Sequence, residues 1–387
     1  MNFETIIQKH IQDHFPIYKN IVHTLYENPE LGMEEYESSK LLCNVLEELA
    51  FKVERRYILP TAFKAVYHGC KKGLNIAFLC EYDALPEVGH GCAHNMIGAI
   101  SIAAASSLKN VVDILGGSIY VFGTPAEETH GGKVHLSNAH AFDEMDVAMM
   151  LHPGSDCTLS ARTLALNPVR FEFFGKSAHA CEPEYGKSAL DAAVMTYTGI
   201  SMLRQFVKRD TYIHGIIKEG GTAANVIPEY ACLDYYFRAP SRAYTYELEE
   251  KAEAIAKGAC EATGCTYKKS IYECPYDDCR INYYLCDLLK EAFEKVEAKD
   301  IKPVDEIPSG SSDIGSVSYV CPTIQGYIKI CDEGINGHSK EFASATLSEM
   351  GEEGLYKGAL ALAYLATRLL SDPTHIKKVK EEFERSY

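Results

Sequence analysis

Positive charge is scarce in this chain. Of its 387 residues, 38 are Lys or Arg against 54 Asp or Glu, a formal net charge of −16 with a pI near 5.4. A phosphate backbone is held largely by Lys and Arg, so this balance excludes nucleic acid as an expected partner. A secretion signal and a membrane-length apolar run are also missing. Phe3, Ile6, Ile7, Ile11 and Phe15 recur at roughly helical spacing, and Glu4, Lys9 and Asp13 interrupt what would be a signal's apolar core. The expected address is the cytoplasm, with no membrane partner. The fourteen cysteines form no CxxC pair. Without a route to an oxidising compartment they read as buried thiols, Cys92 excepted. There is no internal repeat or low-complexity tract. Nor is there a GxSxG turn of the kind that exposes a serine nucleophile.

What is present is ordinary globular composition, 47% hydrophobic and 24% charged, in a chain longer than one core usually serves, so two domains are expected. From Phe63 to Leu151 short apolar runs alternate with helix-like stretches: FKAVYH, LNIAFLC, NMIGAISIAAASSL, SIYVFGTPAEE, DVAMMLHP. That alternation predicts an α/β fold with a largely parallel sheet, in which chemistry collects at the carboxyl ends of strands. Around Leu166 the pattern changes to alternating strands and two helices, as an inserted α+β domain would have. After about Pro275 the chain reads as helical, closing with GLYKGALALAYLATRLL. The expected division is residues 1–165 with 276–387 as one domain and 166–275 as the insert.

Polar clusters directly follow three of the apolar runs. Cys92 and His94 lie two apart in GHGCAHN, whose glycines allow a tight turn. Glu127 and Glu128 follow the run IYVFGTPA, and adjacent side chains at a strand end point in different directions, so one carboxylate can ligate while its neighbour faces a water. His152 ends the next run in LHP, and His338 lies in INGHSKEF. Taken singly, each also reads as an incidental pair, a solvated acidic pair, a core histidine or a loop histidine.

Taken in order, EYDALPEVGHGCAHN, GTPAEE, LHP, GKSAHA, GGTAANVIP, GSSDIGSVS and NGHSKEF resemble the two-metal aminoacylase and carboxypeptidase family over nearly the whole chain. Within it, the resemblance is to the branch of auxin-conjugate hydrolases, aminobenzoyl-glutamate hydrolases and bacterial N-acyl amino acid amidohydrolases. It implies Cys92, His94, Glu128, His152 and His338 as ligands of two divalent ions, with Glu127 as general base. Thiolate, imidazole and carboxylate together suit zinc, manganese or cobalt better than calcium or magnesium. Asp83 in EYDALP matches an aspartate that supports a metal-binding histidine. The resemblance further implies that the insert is a lid that also forms a homodimer interface. His179 in GKSAHA would be an oxyanion donor, and Asn225 and Arg238 would hold substrate. Arg238 has the equal alternative of a structural salt bridge. Many relatives carry GHxCGHD, where this chain has Ala93 and Asn95.

The implied activity is hydrolysis of an N-acyl amino acid, an aminobenzoyl-glutamate-like conjugate or a dipeptide by an activated water. A dipeptidase or carboxypeptidase on free peptides stands beside it, because the motifs are common to both. A non-catalytic metal-binding relative would typically have lost the base, and Glu127 is present.

Overall fold

The computed structural model describes residues 2–308 and 310–385. By its internal contacts the chain forms two compact units: Met1–Arg162 with Cys279–Tyr387, and Thr163–Asp278.

The larger unit is built on a six-stranded sheet. In chain order its strands are β1 (Lys52–Arg55), β2 (Phe63–His68), β3 (Asn75–Cys80), β4 (Ser118–Gly123), β5 (Val147–Gly154) and, much later, β12 (Thr323–Lys329). They lie side by side in the order β1-β2-β4-β3-β5-β12. Only β2 runs against the rest, pairing antiparallel with both β1 and β4. The sheet is therefore largely parallel, and its central strands are buried on both faces, which is why LNIAFLC and DVAMML read as continuous apolar runs. One covering layer contains the helix His94–Ser107, buried along its whole length, with Phe3–Glu27 and Glu349–Ser371 packed against it. The segment His94–Leu115 is long and apolar enough to cross a membrane, an exception to the expectation of no such run. Its most apolar stretch is 78% buried inside the fold, as a core helix would be.

One strand departs from the expectation of a helical region after Pro275. β12 pairs in parallel with β5, Tyr327 opposite His152. Its residues TIQGYIK form a short run broken by Gln325 and Gly326, and its partner lies about 175 positions earlier, so no local periodicity reveals it. A small parallel bridge joins β6 (Cys157–Thr158) to β11 (Ile301–Lys302).

The inserted unit is a four-stranded antiparallel sheet of β7 (Ala165–Phe174), β8 (Tyr212–Glu219), β9 (Tyr230–Ala239) and β10 (Thr266–Ile271), ordered β10-β7-β9-β8. Its two long helices, Ala189–Leu203 and Arg242–Thr263, cover one face, against which Leu233, Tyr235 and Phe237 alternate inward along β9.

Candidate metal centre and active site

Strands β4, β3 and β5 are adjacent and parallel, so the residues that follow them emerge at one edge of the sheet. Glu81 and Asp83 follow β3, Glu127 and Glu128 follow β4, and His152 lies near the end of β5. His94 begins the helix after the β3 loop. Ala93 before it has φ +59, a left-handed conformation that favours glycine, the residue many relatives have in this loop. Asn95 is buried and ties this helix to its neighbours, its amide donating to Val22 O at 3.2 Å and Thr346 Oγ1 at 3.1 Å. His338, far along the chain, is brought in through its backbone, its N–H donating to Gly91 O at 2.8 Å. Gly91 is required there, since a Cβ would come within 2.5 Å of Val88 Cγ1 and 3.3 Å of the His338 backbone.

The five expected ligands converge. Donor atoms of Cys92, His94 and His152 lie within 4.8 Å of one another, as do those of Cys92, Glu128 and His338, and those of His94, Glu127 and Glu128. Cys92, His94 and Glu128 thus belong to two groups each. Cys92 Sγ stands 3.5 Å from His152 Nε2, and Glu128 Oε1 is 3.5 Å from His338 Nε2 and 3.8 Å from His94 Nε2. Two donors bound to one tetrahedral cation at ~2.0–2.3 Å stand ~3.3–3.8 Å apart, so this spacing fits a metal.

The imidazoles are oriented for the same purpose. His94 Nδ1 donates to Asp83 Oδ1 at 2.9 Å, and His152 Nδ1 donates to the Pro153 carbonyl at 2.8 Å. Each ring is left with Nε2 directed into the cluster. His94 Nε2 and Glu128 Oε1 are buried and lack a hydrogen-bond partner among the described residues. Orphaned donor atoms in a buried cluster are what a bound cation would satisfy. Asp83 uses its second oxygen, Oδ2, to accept the Glu128 N–H at 3.0 Å, so one carboxylate fixes a histidine and the neighbouring loop together.

The electrostatics follow from burial and crowding. Burial pushes the Cys92 thiol up to about 12, so a thiolate there requires a cation. Burial depresses the His94 imidazolium but is outweighed by Asp83 and Glu81, which leave it well above the usual histidine range. Burial, followed by repulsion from Glu81 and Asp313, raises the Glu127 carboxyl well above its ordinary value.

A second layer escaped the sequence reading. Lys133, fully buried, joins Glu81 Oε1 at 2.5 Å to Asp313 Oδ1 at 2.6 Å, and Asp313 Oδ2 accepts the Lys133 backbone N–H at 2.9 Å. Glu81 Oε2 faces His94 Nε2 at 3.3 Å. The signal available was a lone lysine five residues after the Glu pair, and an aspartate in GSSDIGSVS valued only as part of a motif.

The remaining candidates belong to the inserted unit. His179 and Asn225 are exposed neighbours: His179 bridges Val226, and Ala180 N donates to Asn225 O at 3.0 Å. Arg238 lies apart from them. It pairs with Leu166 near one end of β9, whereas the other end, Tyr230 opposite Phe174, leads to the His179 and Asn225 loops, roughly 25 Å along the strand. Its guanidinium sits 5.7 Å from the Tyr236 ring centre.

A largely parallel α/β sheet with thiol, imidazole and carboxylate donors gathered at its strand ends, His94 buried, His338 exposed and the rest half-buried, defines a hydrolase-type metal site. The family model of Peptidase family M20/M25/M40 matches residues 77–368, and the chain belongs to that family. It is 37% identical over 376 residues to a mouse Xaa-Arg dipeptidase, covering 93% of this chain and 87% of the relative. It is 26% identical to one of the subunits of the p-aminobenzoyl-glutamate hydrolase of Escherichia coli strain K12, covering 95% and 92%. A dinuclear metal-binding M20 peptidase structure from Bacillus subtilis shares the fold, with a TM-score of 0.65, 20% identity and coverage of 92% and 99%. The protein is a hydrolase of amide or peptide bonds.

Proposed function

We propose that this protein is a dipeptidase working with two divalent cations, zinc or manganese, with cobalt able to substitute, held by Cys92, His94, Glu128, His152 and His338. The observation that carries the reading is the convergence of these five donors, with Cys92, His94 and Glu128 each shared between two groups and the second ring nitrogens of His94 and His152 already engaged. The 37% identity to an Xaa-Arg dipeptidase supports a short peptide with a cationic C-terminal residue as substrate. The net charge of −16 favours approach of such a cation.

When bound, the cations supply positive charge that acidifies the attacking water and polarises the scissile carbonyl. Glu127 takes a proton from that water as its oxygen bonds to the carbonyl carbon. It returns the proton to the amine nitrogen as the C–N bond breaks. No side chain becomes acylated. Asp83 holds His94 and the Glu128 loop in register throughout. The family resemblance gives His179 the role of oxyanion donor and Asn225 that of a substrate contact, and their adjacency supports treating them as a pair. Arg238, distant from both along β9 and beside the Tyr236 ring, keeps both of its readings, a contact to a substrate carboxylate and a structural residue.

The inserted unit supports a homodimer. β8 pairs only with β9 among the described residues, and Tyr212, Ile216 and Ile217 on it are exposed, as are Met202 and Phe206 nearby. The fourteen cysteines, all free thiols, support a reducing, cytoplasmic site of action.

The deciding experiment is turnover of a small panel: a dipeptide ending in arginine, p-aminobenzoyl-glutamate and an N-acetyl amino acid. Each is measured before and after chelation, with zinc, manganese or cobalt restored. Chelation should abolish activity, metal should restore it, and Glu127→Gln should bind metal while losing turnover by at least ~100-fold. Preference for p-aminobenzoyl-glutamate would favour the conjugate hydrolase reading, which the 26% relative keeps in play. Activity that survives chelation would sink the two-cation reading.

A further inference from the structure

The segment between the helices Phe3–Glu27 and Tyr36–Glu48 lies across both loops of the candidate site. Ala84 N donates to Glu30 O at 2.8 Å, and Leu31 bridges Ala84, beside Asp83. Gly32 lies against the other loop, where a Cβ would come within 2.4 Å of Thr129 Oγ1 and 2.9 Å of Ala126 Cβ.

Glu35 occupies the N-cap of Tyr36–Glu48, where a side chain ordinarily accepts from the first helical N–H groups. It makes no such bond. Glu30 does that work instead, accepting from Glu37 N at 3.1 Å, Ser38 N at 2.7 Å and the Ser38 hydroxyl at 2.6 Å. The Glu35 carboxylate, with no exposed surface, turns to the active site's second loop, accepting the Ala126 N–H at 2.8 Å and the Thr61 hydroxyl at 2.9 Å.

Ala126 is the residue before Glu127, and its φ is +58. A non-glycine residue is disfavoured in that conformation, so something must hold it. Its carbonyl also accepts from His130 N at 3.1 Å and Gly131 N at 2.8 Å, which makes it the hub of the turn. An acid is an unfavourable choice for a buried packing position, and burial does push this carboxyl up to about 7. A packing role would be served by an apolar side chain. A specific acceptor for Ala126 N–H would not.

We propose that Glu35 is a positioning residue whose buried carboxylate holds the left-handed turn at Ala126 and thereby aims Glu127. The inference rests on the reading of Glu127 as base.

The test compares Glu35→Ala, Glu35→Gln and Glu35→Asp, with Glu35→Ala also made in the Ala126→Gly background. kcat, KM, metal per chain and Tm are followed on the best substrate of the panel. Glu35→Ala should lower kcat roughly 10- to 100-fold, with KM and metal content within about twofold of wild type. Glu35→Gln, whose amide oxygen can accept the same N–H, should keep most of kcat. In the Ala126→Gly background the left-handed turn needs no holding, so the loss from Glu35→Ala should shrink to about threefold. If Glu35→Ala does not fold, Glu35→Asp decides: one methylene shorter, it should lose kcat while its Tm stays near wild type. Full kcat in the folded Ala or Asp variant, equal losses in Gln and Ala, or an unchanged loss in the Ala126→Gly background each overturn the proposal. Glu127→Gln is run alongside. If that variant is active, the base assignment falls. If it is inactive while Glu35→Ala is fully active, only the positioning role falls.

Discussion

The two units differ in what they bury and what they leave exposed. The larger unit encloses Glu35, Glu81, Asp83, His90, His94, Lys133 and Asp313, each with 3% or less of its surface exposed. In the inserted unit the one buried acid among the described residues is Glu249, at 9% exposure, and it is paired with Lys269 at 2.7 Å. Most of the exposed large hydrophobics lie in the inserted unit instead. Buried charge is tolerated only where it is paired or has a task, and exposed apolar surface tends to mark a surface that something covers. The contrast separates a unit with buried charge from one with exposed apolar surface, the division that the proposed chemistry and association would give.

The sharpest way to break that comparison is to remove a buried cation from one unit and a surface cation from the other. Lys133→Met leaves Glu81 and Asp313 facing each other without their shared partner, and should destabilise the protein by roughly 3–5 kcal/mol. Arg170→Met removes one of the two cations paired with Asp234, the one held at 2.6 and 2.8 Å, leaves Lys218 at 3.4 Å, and should cost only ~1 kcal/mol. Denaturant midpoints of the two variants measure the difference. Equal losses would mean that the Glu81–Lys133–Asp313 chain is no more than an ordinary ion pair.

Next in size is Asp83→Asn. The change weakens its hold on the His94 ring and on Glu128 N–H without touching a donor atom, and should lower metal affinity roughly 10- to 100-fold, read by competition with a chelator. Unchanged affinity would show that His94 needs no support from Asp83.

Glu35 sharpens the comparison through pH. Its carboxyl is raised from 4.5 to about 7, so the folded protein binds a proton there that the unfolded chain has released. Between these values the folded state holds more protons than the unfolded one, and the contribution of Glu35 to stability falls as pH rises. The destabilisation is absent below about 4.5 and complete above about 7. The neutral Glu35→Gln lacks it, so its Tm relative to wild type should climb across that window by roughly 10 °C, at ~1.4 kcal/mol per pH unit and ~2–4 °C per kcal/mol. A gap that stays flat with pH would show that the carboxyl is not raised.

How much of this could be read from the sequence depended on where each signal lies along the chain. β2 to β5 were legible because each is a compact apolar run, and Cys92, His94, Glu127, Glu128 and His152 stood out as candidates because they follow those runs, their roles coming only from the family resemblance. β12 was not, since its pairing with β5 is set by contacts about 175 positions apart. Lys133 and Glu35 were not either. Nothing local distinguishes a buried lysine or glutamate from a solvated one; only the folded sheet reveals that their partners are Glu81, Asp313 and the Ala126 N–H. Arg238 shows the converse. A motif match suggested a substrate contact, and the register of β9 against β7 adds what no motif could, that it lies at the end of the strand away from Asn225.

The last contrast concerns the insert's apolar edge. Ile216 is 61% exposed in the middle of β8, a strand whose outer edge has no partner among the described residues. Ile216→Lys adds charge at that edge, a device by which edge strands avoid pairing with copies of themselves. The exposed side chain packs little within the unit, so folding stability should change by no more than ~0.5 kcal/mol. If the edge is a homodimer interface, light scattering should instead report a shift from dimer to monomer, with the larger unit's metal content unaltered. A wild-type protein that is already monomeric at micromolar concentration would remove the association reading, and would leave the exposed isoleucines, methionine and phenylalanine of the insert without that explanation.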